Sequence, residues 1–228
     1  MHRRDIHRRD VLGLAVSSLV LGAMGPAGAR ADCAIPEERA SWLATRVHAG
    51  ARAFVWLGQP EGLPVPTSLD SSLGALPITW AVPGVAMITI APSASGELVI
   101  HAPPRAARRT GDDLRITITP GAPTARLSAP PQHVRLETRT RPLHYDPAAE
   151  YVTAYFDAAP GARHLLARWG RVGSFVTLEA GASSAEIFAV GRCGNRPLDV
   201  PAPRRGETVE LALLDEEGNL SAFVRTTA

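Results

Sequence analysis

The five histidines beyond residue 31, His48, His101, His133, His144 and His164, are the first residues to test for chemistry, because imidazole is the side chain most often used as a general base or metal ligand near neutral pH. They stand singly. None has a His, Asp or Glu at the spacing of a metalloprotease or structural metal motif. His144-Tyr145-Asp146 comes nearest to a polar triad, but neighbours in a strand point to opposite faces, and Pro147 favours a surface loop. A serine nucleophile elbow needs G-x-S-x-G; Gly173-Ser174 lacks the closing glycine, and Gly181-Ala182-Ser183-Ser184 reads as a turn. No phosphate-cradling loop or dinucleotide fingerprint is present. Asp215-Glu216-Glu217-Gly218-Asn219 offers carboxylates to calcium without the alternating spacing of an EF-hand loop. It reads as a solvated hairpin connector, where each acid is replaceable by Ser for no more than about 0.5 kcal/mol. Trp42, Trp56, Trp80 and Trp169 read as core rather than as a ligand shelf. No catalytic, cofactor-binding or metal-ligating set follows, and no cofactor is expected.

The chemistry that does emerge concerns address and cross-linking. Residues 1–31 hold a basic start (Arg3, Arg4, Arg8, Arg9), an apolar run over 11–24 and then Ala29-Arg30-Ala31, a small-x-small cleavage pattern. Cleavage between Ala31 and Asp32 is expected. The run is about 14 residues, too short to cross a hydrocarbon core of roughly 30 Å as a helix. His7-Arg8-Arg9-Asp10-Val11-Leu12-Gly13 is similar to the twin-arginine export motif, with Arg8 and Arg9 as the pair; an ordinary secretory signal is the alternative. A lipidated Cys33 is disfavoured by Asp32 and Arg30, which stand where lipoprotein signals carry small and aliphatic residues. Cys33 and Cys193 are the only cysteines, in a chain addressed to the periplasm or beyond, so a disulfide between them is expected. It would close a loop of about 160 residues, stabilise by up to about 5 kcal/mol, and tie both halves into one body.

Loss of residues 1–31, with five Arg and two Asp, leaves 19 Arg against 20 acids and moves the formal charge from +2 to −1. The charge of the mature chain as a whole therefore implies no sizeable basic patch for nucleic acid or anionic lipid. Arg105, Arg108 and Arg109 cluster locally, with no interleaved aromatics, and read as a solvated loop.

The elements that must position these residues are short strands. Twenty Gly and 20 Pro punctuate the chain. Residues 36–47 suggest one helix, with Pro36 in its first turn, Glu37 and Glu38 near its positive end, and Trp42, Leu43 and Val47 apolar. Strands are expected at 51–57, 77–82, 85–91, 97–101 and 114–119, the last alternating Leu114, Ile116 and Ile118 with Arg115, Thr117 and Thr119. Residues 120–131, with four prolines, read as a linker. Further strands are expected at 133–140, 151–156, 164–169, 174–178 and 185–191, before a terminal hairpin over 207–225. In that hairpin Val209, Leu211 and Leu213 share one face, Leu214 breaks the alternation, and Leu220, Ala222 and Val224 form the returning arm. The stretch ETVELALLDEEGNLSAFVR resembles the last two strands of immunoglobulin-like and fibronectin type III-like domains of exported bacterial proteins.

The expected fold is all-β, two tandem immunoglobulin-like antiparallel sandwiches after a cleaved signal peptide: signal peptide 1–31, N-terminal β-sandwich 32–119, linker 120–131 and C-terminal immunoglobulin-like sandwich 132–228. A single larger sandwich is the alternative. Two functional classes remain, since sandwiches host both. One is an exported non-catalytic module with a structural, adhesive or binding role toward a protein or glycan, contacting no nucleic acid and, once the signal is removed, no membrane. The other is a periplasmic enzyme or cofactor or metal carrier exported already folded; the first is favoured.

Overall fold

The computed structural model describes residues 40–44, 46–57, 66–101, 113–122, 129–143, 146–189 and 201–228. Fifteen strands and no helix occur among them. The first half carries β1 (Ser41–Trp42), β2 (Val47–His48), β3 (Arg52–Trp56), β4 (Ser68–Ser71), β5 (Gly74–Val82), β6 (Val85–Thr89), β7 (Gly96–Ile100) and β8 (Leu114–Thr119). They hydrogen-bond in the order β1-β3-β6-β5-β4-β7-β8-β2. β5 holds the two layers together. Its Gly74–Pro77 half pairs with β4 and its Ile78–Val82 half with β6. Pro77, which has no N–H to give to a ladder, lies at the changeover. The apolar residues of both layers meet in one core, with Val55, Ala86 and Ile88 from one side and Leu69, Leu98, Ile100 and Ile118 from the other.

The second half carries β9 (Arg135–Leu143), β10 (Asp146–Tyr155), β11 (Ala162–Trp169), β12 (Val172–Thr177), β13 (Ser184–Ala189), β14 (Thr208–Asp215) and β15 (Val224–Thr227). A three-stranded sheet, β13-β10-β9, faces a four-stranded one, β12-β11-β14-β15, and every pairing in both is antiparallel. Seven short strands in three-on-four layers are an immunoglobulin-like sandwich. Their inner faces alternate as strands must: Val152 and Ala154, Leu165, Ala167 and Trp169, Ile187, and Val209, Leu211 and Leu213 fill the core.

Three expectations are corrected. The helix over 36–47 is overturned within the described residues, where 41–42 and 47–48 are strands. Trp42 packs toward the first core by pairing with Val55, Leu43 turns the other way toward the second half, and Val47 pairs with Ile118. Apolar spacing that suits a helix is here divided between separate packing sites. β2 also runs parallel to β8, because the chain crosses from one layer to the other between β1 and β2. The hairpin's returning arm starts at Val224 rather than Leu220; before it, Leu220 makes a lone bridge to Leu214.

Candidate functional site at the joint between the halves

Leu214, the residue that breaks the alternation of β14, marks the site. It points away from the second core, as does Leu166 of β11, and both are fully buried against the first half. There they meet Leu43, Phe54 and Trp56 from β3 and the segment before it, together with Ala81, Val82 and Val85 from the β5–β6 hairpin. Trp56 and Phe175 of β12 cross the boundary ring to ring, with centroids 5.1 Å apart. Burial of a large apolar side chain stabilises by about 1.5–3 kcal/mol relative to exposure, so this third cluster is a substantial adhesive between the halves. Domain motion is the default where an interface is small and polar; an apolar joint of this kind opposes it.

Two glycines permit the close approach. A Cβ on Gly173 would run into the carbonyl of Pro83, and one on Gly218, whose φ is +85°, would sit 2.7 Å from the carbonyl oxygen of Arg52. Backbone meets backbone at both points.

Polar groups complete the joint, and the two histidines reach across in opposite directions. His164 of β11 donates from Nε2 to the carbonyl oxygen of Leu43 at 2.6 Å, and its Nδ1 lies 3.3 Å from the Thr177 hydroxyl. Burial pushes the ring below the ordinary histidine range, and Arg163 acts in the same direction, while the bond to Leu43 opposes them. His48 of β2 sets Nδ1 3.1 Å from the carbonyl oxygen of Gly121 and Nε2 3.8 Å from a carboxylate oxygen of Glu217, which Arg46 also approaches at 3.7 Å.

The acidic turn is therefore not a solvated connector. Asp215 is 1% exposed and Glu217 4%. Asp215 Oδ1 accepts from the backbone N–H groups of Glu217 and Asn219 at 2.9 and 2.8 Å, and Oδ2 accepts from Asn219 Nδ2 at 2.8 Å. The carboxylate that the sequence offers to calcium is instead the internal cap of its own turn. Glu216 stays at the surface, 3.5 Å from Arg163.

The remaining histidines and the tryptophans are dispersed. His101 pairs with Asp113 and His133 with Asp157, each at 2.8 Å and exposed; the bond from His101 holds the Asp113 carboxyl below its usual range, and Arg115 adds to it. Trp169 lies in the second core and donates to the Pro201 carbonyl, while Trp42 and Trp80 pack half-buried against the first. No group of three or more potential metal ligands occurs among the described residues. Cys33, Cys193, Arg8, Arg9, Ala31, Asp32, His144, Tyr145 and the cluster of Arg105, Arg108 and Arg109 lie outside the described residues.

The outer face of the three-stranded sheet has a different character. Arg135 lies over the Tyr155 ring at 3.9 Å and Arg141 over Tyr151 at 3.5 Å. Glu137 accepts two bonds from Arg139, at 2.7 and 3.0 Å, and is held below the usual carboxylate range by them; Glu186 lies 3.4 Å from Arg141. Arg135 and Arg139 share Glu137, and Arg141 has Glu186, so each cation of this face lies beside an acid.

Histidine reach, glycine contact and the buried turn were hidden from sequence reasoning, with two exceptions. The run Leu211-Ala212-Leu213-Leu214 and the pair Leu165-Leu166 are unbroken apolar stretches in strands that otherwise alternate, and such stretches signal burial on both faces.

No protein-family model matches the chain, and no curated protein matches it in sequence. Comparison with solved structures finds distant likenesses in shape. The BSP domain of a biofilm associated protein is 13% identical, with a TM-score of 0.24 over 83% of this chain and 29% of that one. The Bacteroides ovatus mixed-linkage glucan utilization locus protein SGBP-B, in complex with a mixed-linkage heptasaccharide, is 13% identical, with a TM-score of 0.22 over 81% of this chain and 42% of that one. The Yersinia pseudotuberculosis adhesin InvE is 12% identical, with a TM-score of 0.23 over 82% and 58%. The chain thus spans less than two thirds of each of these structures.

Proposed function

We propose that this chain is an exported, non-catalytic β-sandwich protein that works as a binding or adhesion module, holding its loops and sheet edges in fixed relation on one docked body. One observation carries this reading. Among the described residues the buried polar or charged side chains are His48, Asp215, Glu217 and Ser221, and all four belong to the joint or to the hairpin that forms it. Ser221 Oγ accepts from the backbone N–H of Leu213, as Asp215 accepts from its turn. Buried polar groups at an active site converge on a substrate; these converge on the chain itself.

The rest of the proposal follows the sequence. A signal over 1–31 with Arg8 and Arg9 as its twin-arginine pair directs the protein to the periplasm or outside. Cleavage falls between Ala31 and Asp32, a bond joins Cys33 to Cys193, and two sandwiches at 32–119 and 132–228 flank a linker at 120–131. The partner is a protein or a glycan, with no nucleic acid and, after cleavage, no membrane.

The test uses protein purified from its own compartment, by metal analysis, absorption spectroscopy and binding to arrays of bacterial and host polysaccharides and surface proteins. Saturable binding without a stoichiometric metal or chromophore is the expected result. A stoichiometric metal or a cofactor absorption band would instead favour an enzyme or carrier exported folded.

A further inference from the structure

We propose that the row of arginines along β9, Arg135, Arg139 and Arg141, is a binding surface whose partner is an acidic polysaccharide of the polyuronate class, a chain of sugars bearing carboxylates. The proposal rests on the binding-module reading above and names its ligand. All three stand an even number of residues apart on one strand, so their side chains share a face. At the rise of an antiparallel strand, Arg135 and Arg139 are about 14 Å apart and Arg139 and Arg141 about 7 Å. Cations spread in a row over about 20 Å suit a chain of repeated anions better than a single small ion.

The acids beside the row do not cancel it, because they are set deeper. The side chains of Arg135, Arg139 and Arg141 are 64, 62 and 60% exposed, against 34% for Glu137 and 39% for Glu186. An approaching partner therefore meets guanidinium before carboxylate. Glu137 takes its two bonds from the Nε and Nη2 groups of Arg139, so the Nη1 donors are not spent on that acid. Arg135 and Arg141 are held in place over the Tyr155 and Tyr151 rings, which lowers the ordering cost of binding. A guanidinium so placed offers a planar fork that matches a carboxylate in shape as well as charge. The charge of the whole chain is blind to such an arrangement, since three cations on one strand barely move the total.

The same geometry selects the class of partner. Protein interfaces depend on large apolar or aromatic anchors seated at their centre. This face offers none: Tyr151 is 5% exposed, both rings lie under guanidinium, and Leu73, the exposed large hydrophobic side chain among the described residues, belongs to the first half. Single-stranded nucleic acid needs open rings on which its bases can stack, and the cover denies those as well. A hydrated polyanion needs neither.

The test is affinity gel electrophoresis of the full mature chain, with polygalacturonate in the gel and with neutral dextran and polyglutamate as comparison probes. Polygalacturonate should retard the protein, less so as salt is added, and dextran should not. Arg139→Gln should weaken the retention by about tenfold, the scale of one charge-assisted hydrogen bond. Arg115→Gln, which removes an equally exposed arginine paired with acids on the first half, should leave it unchanged. No retention by polygalacturonate, equal loss in the two variants, or stronger retention by polyglutamate, the sign of an acidic protein partner, would overturn the proposal. Should Arg139→Gln not fold, wild type can be treated with phenylglyoxal and read by mass spectrometry. Protection of Arg139 and Arg141 by polygalacturonate supports the proposal, and modification unaffected by it overturns the proposal. Failure here alongside saturable binding of another ligand would remove this surface alone; failure alongside a stoichiometric metal or cofactor would remove the module reading with it.

Discussion

Gly173 and Pro83 meet backbone to backbone across the joint, so that a single methyl group on Gly173 would overlap the Pro83 carbonyl. Neither partner is the end of a flexible side chain. Gly173→Ala is therefore expected to weaken docking by roughly 1–3 kcal/mol, the usual cost of overpacking, without damaging either sandwich core. Urea titration should show that loss with an unchanged strand signal. A compact Gly173→Ala protein with wild-type stability would mean that the contact bears no load.

The acids of the terminal turn should separate sharply in urea titrations. Asp215→Ala leaves buried N–H groups of Glu217 and Asn219 without their acceptor and should cost about 3 kcal/mol. Glu216→Ser, at an exposed position, should stay within about 0.5 kcal/mol. Calcium should leave the wild-type melting temperature where it is, because both Asp215 oxygens already accept bonds. A calcium-dependent rise that Asp215→Ala abolishes would restore a cation site.

That turn shows where sequence reading succeeded and where it stopped. The strands at 114–119 and 208–215 were legible because one face of each alternates, and period two survives any tertiary context that buries only one side. The all-β class and the seven strands of the second half were legible on the same grounds. Asp215, Glu216 and Glu217 look alike in sequence, yet only Glu216 remains at the surface. What distinguishes them is a surface supplied by residues 43–56 and 81–85, more than 120 positions away, and no local pattern encodes it. His48 and His164 were missed for the same reason, since each acquires its role from the opposite half.

Acid stability should carry the signature of Glu210. Bonds from Arg225 and then Arg168 hold its carboxyl below the ordinary glutamate range. A depressed carboxyl contributes stability that is present above the unfolded value of about 4.5 and is lost as the pH falls through the folded value. Glu210→Gln should melt lower than wild type at pH 7, and the gap should close on acidification below pH 4.5. A gap independent of pH would assign the loss to packing alone.

The proposed cross-link has a chemical readout. Denatured, unreduced protein from the periplasm should contain no titratable thiol, and Cys193→Ser should lose roughly 2–5 kcal/mol. Two free thiols would remove the bond, and docking would then rest on the joint alone.

Export should depend on Arg8 and Arg9. Replacement of both by Lys should block a twin-arginine route, read as precursor retained in the cytoplasm. Mature protein starting at Asp32, in normal amount, from the double variant would leave a signal peptide of the general secretory kind.

Among the described residues β9 ends its sheet, with β10 on one side only, and an open strand edge is a template on which further chains can polymerise. Arg135, Glu137, Arg139 and Arg141 alternate along it, and Pro142 withholds an N–H near its end. A second copy approaching in register would have to strip water from these charges and break their pairing before gaining a ladder of backbone bonds. The same residues that cover Tyr151 and Tyr155 thus guard against fibre growth, which would let the protein be packed densely without the copies fusing into a common sheet.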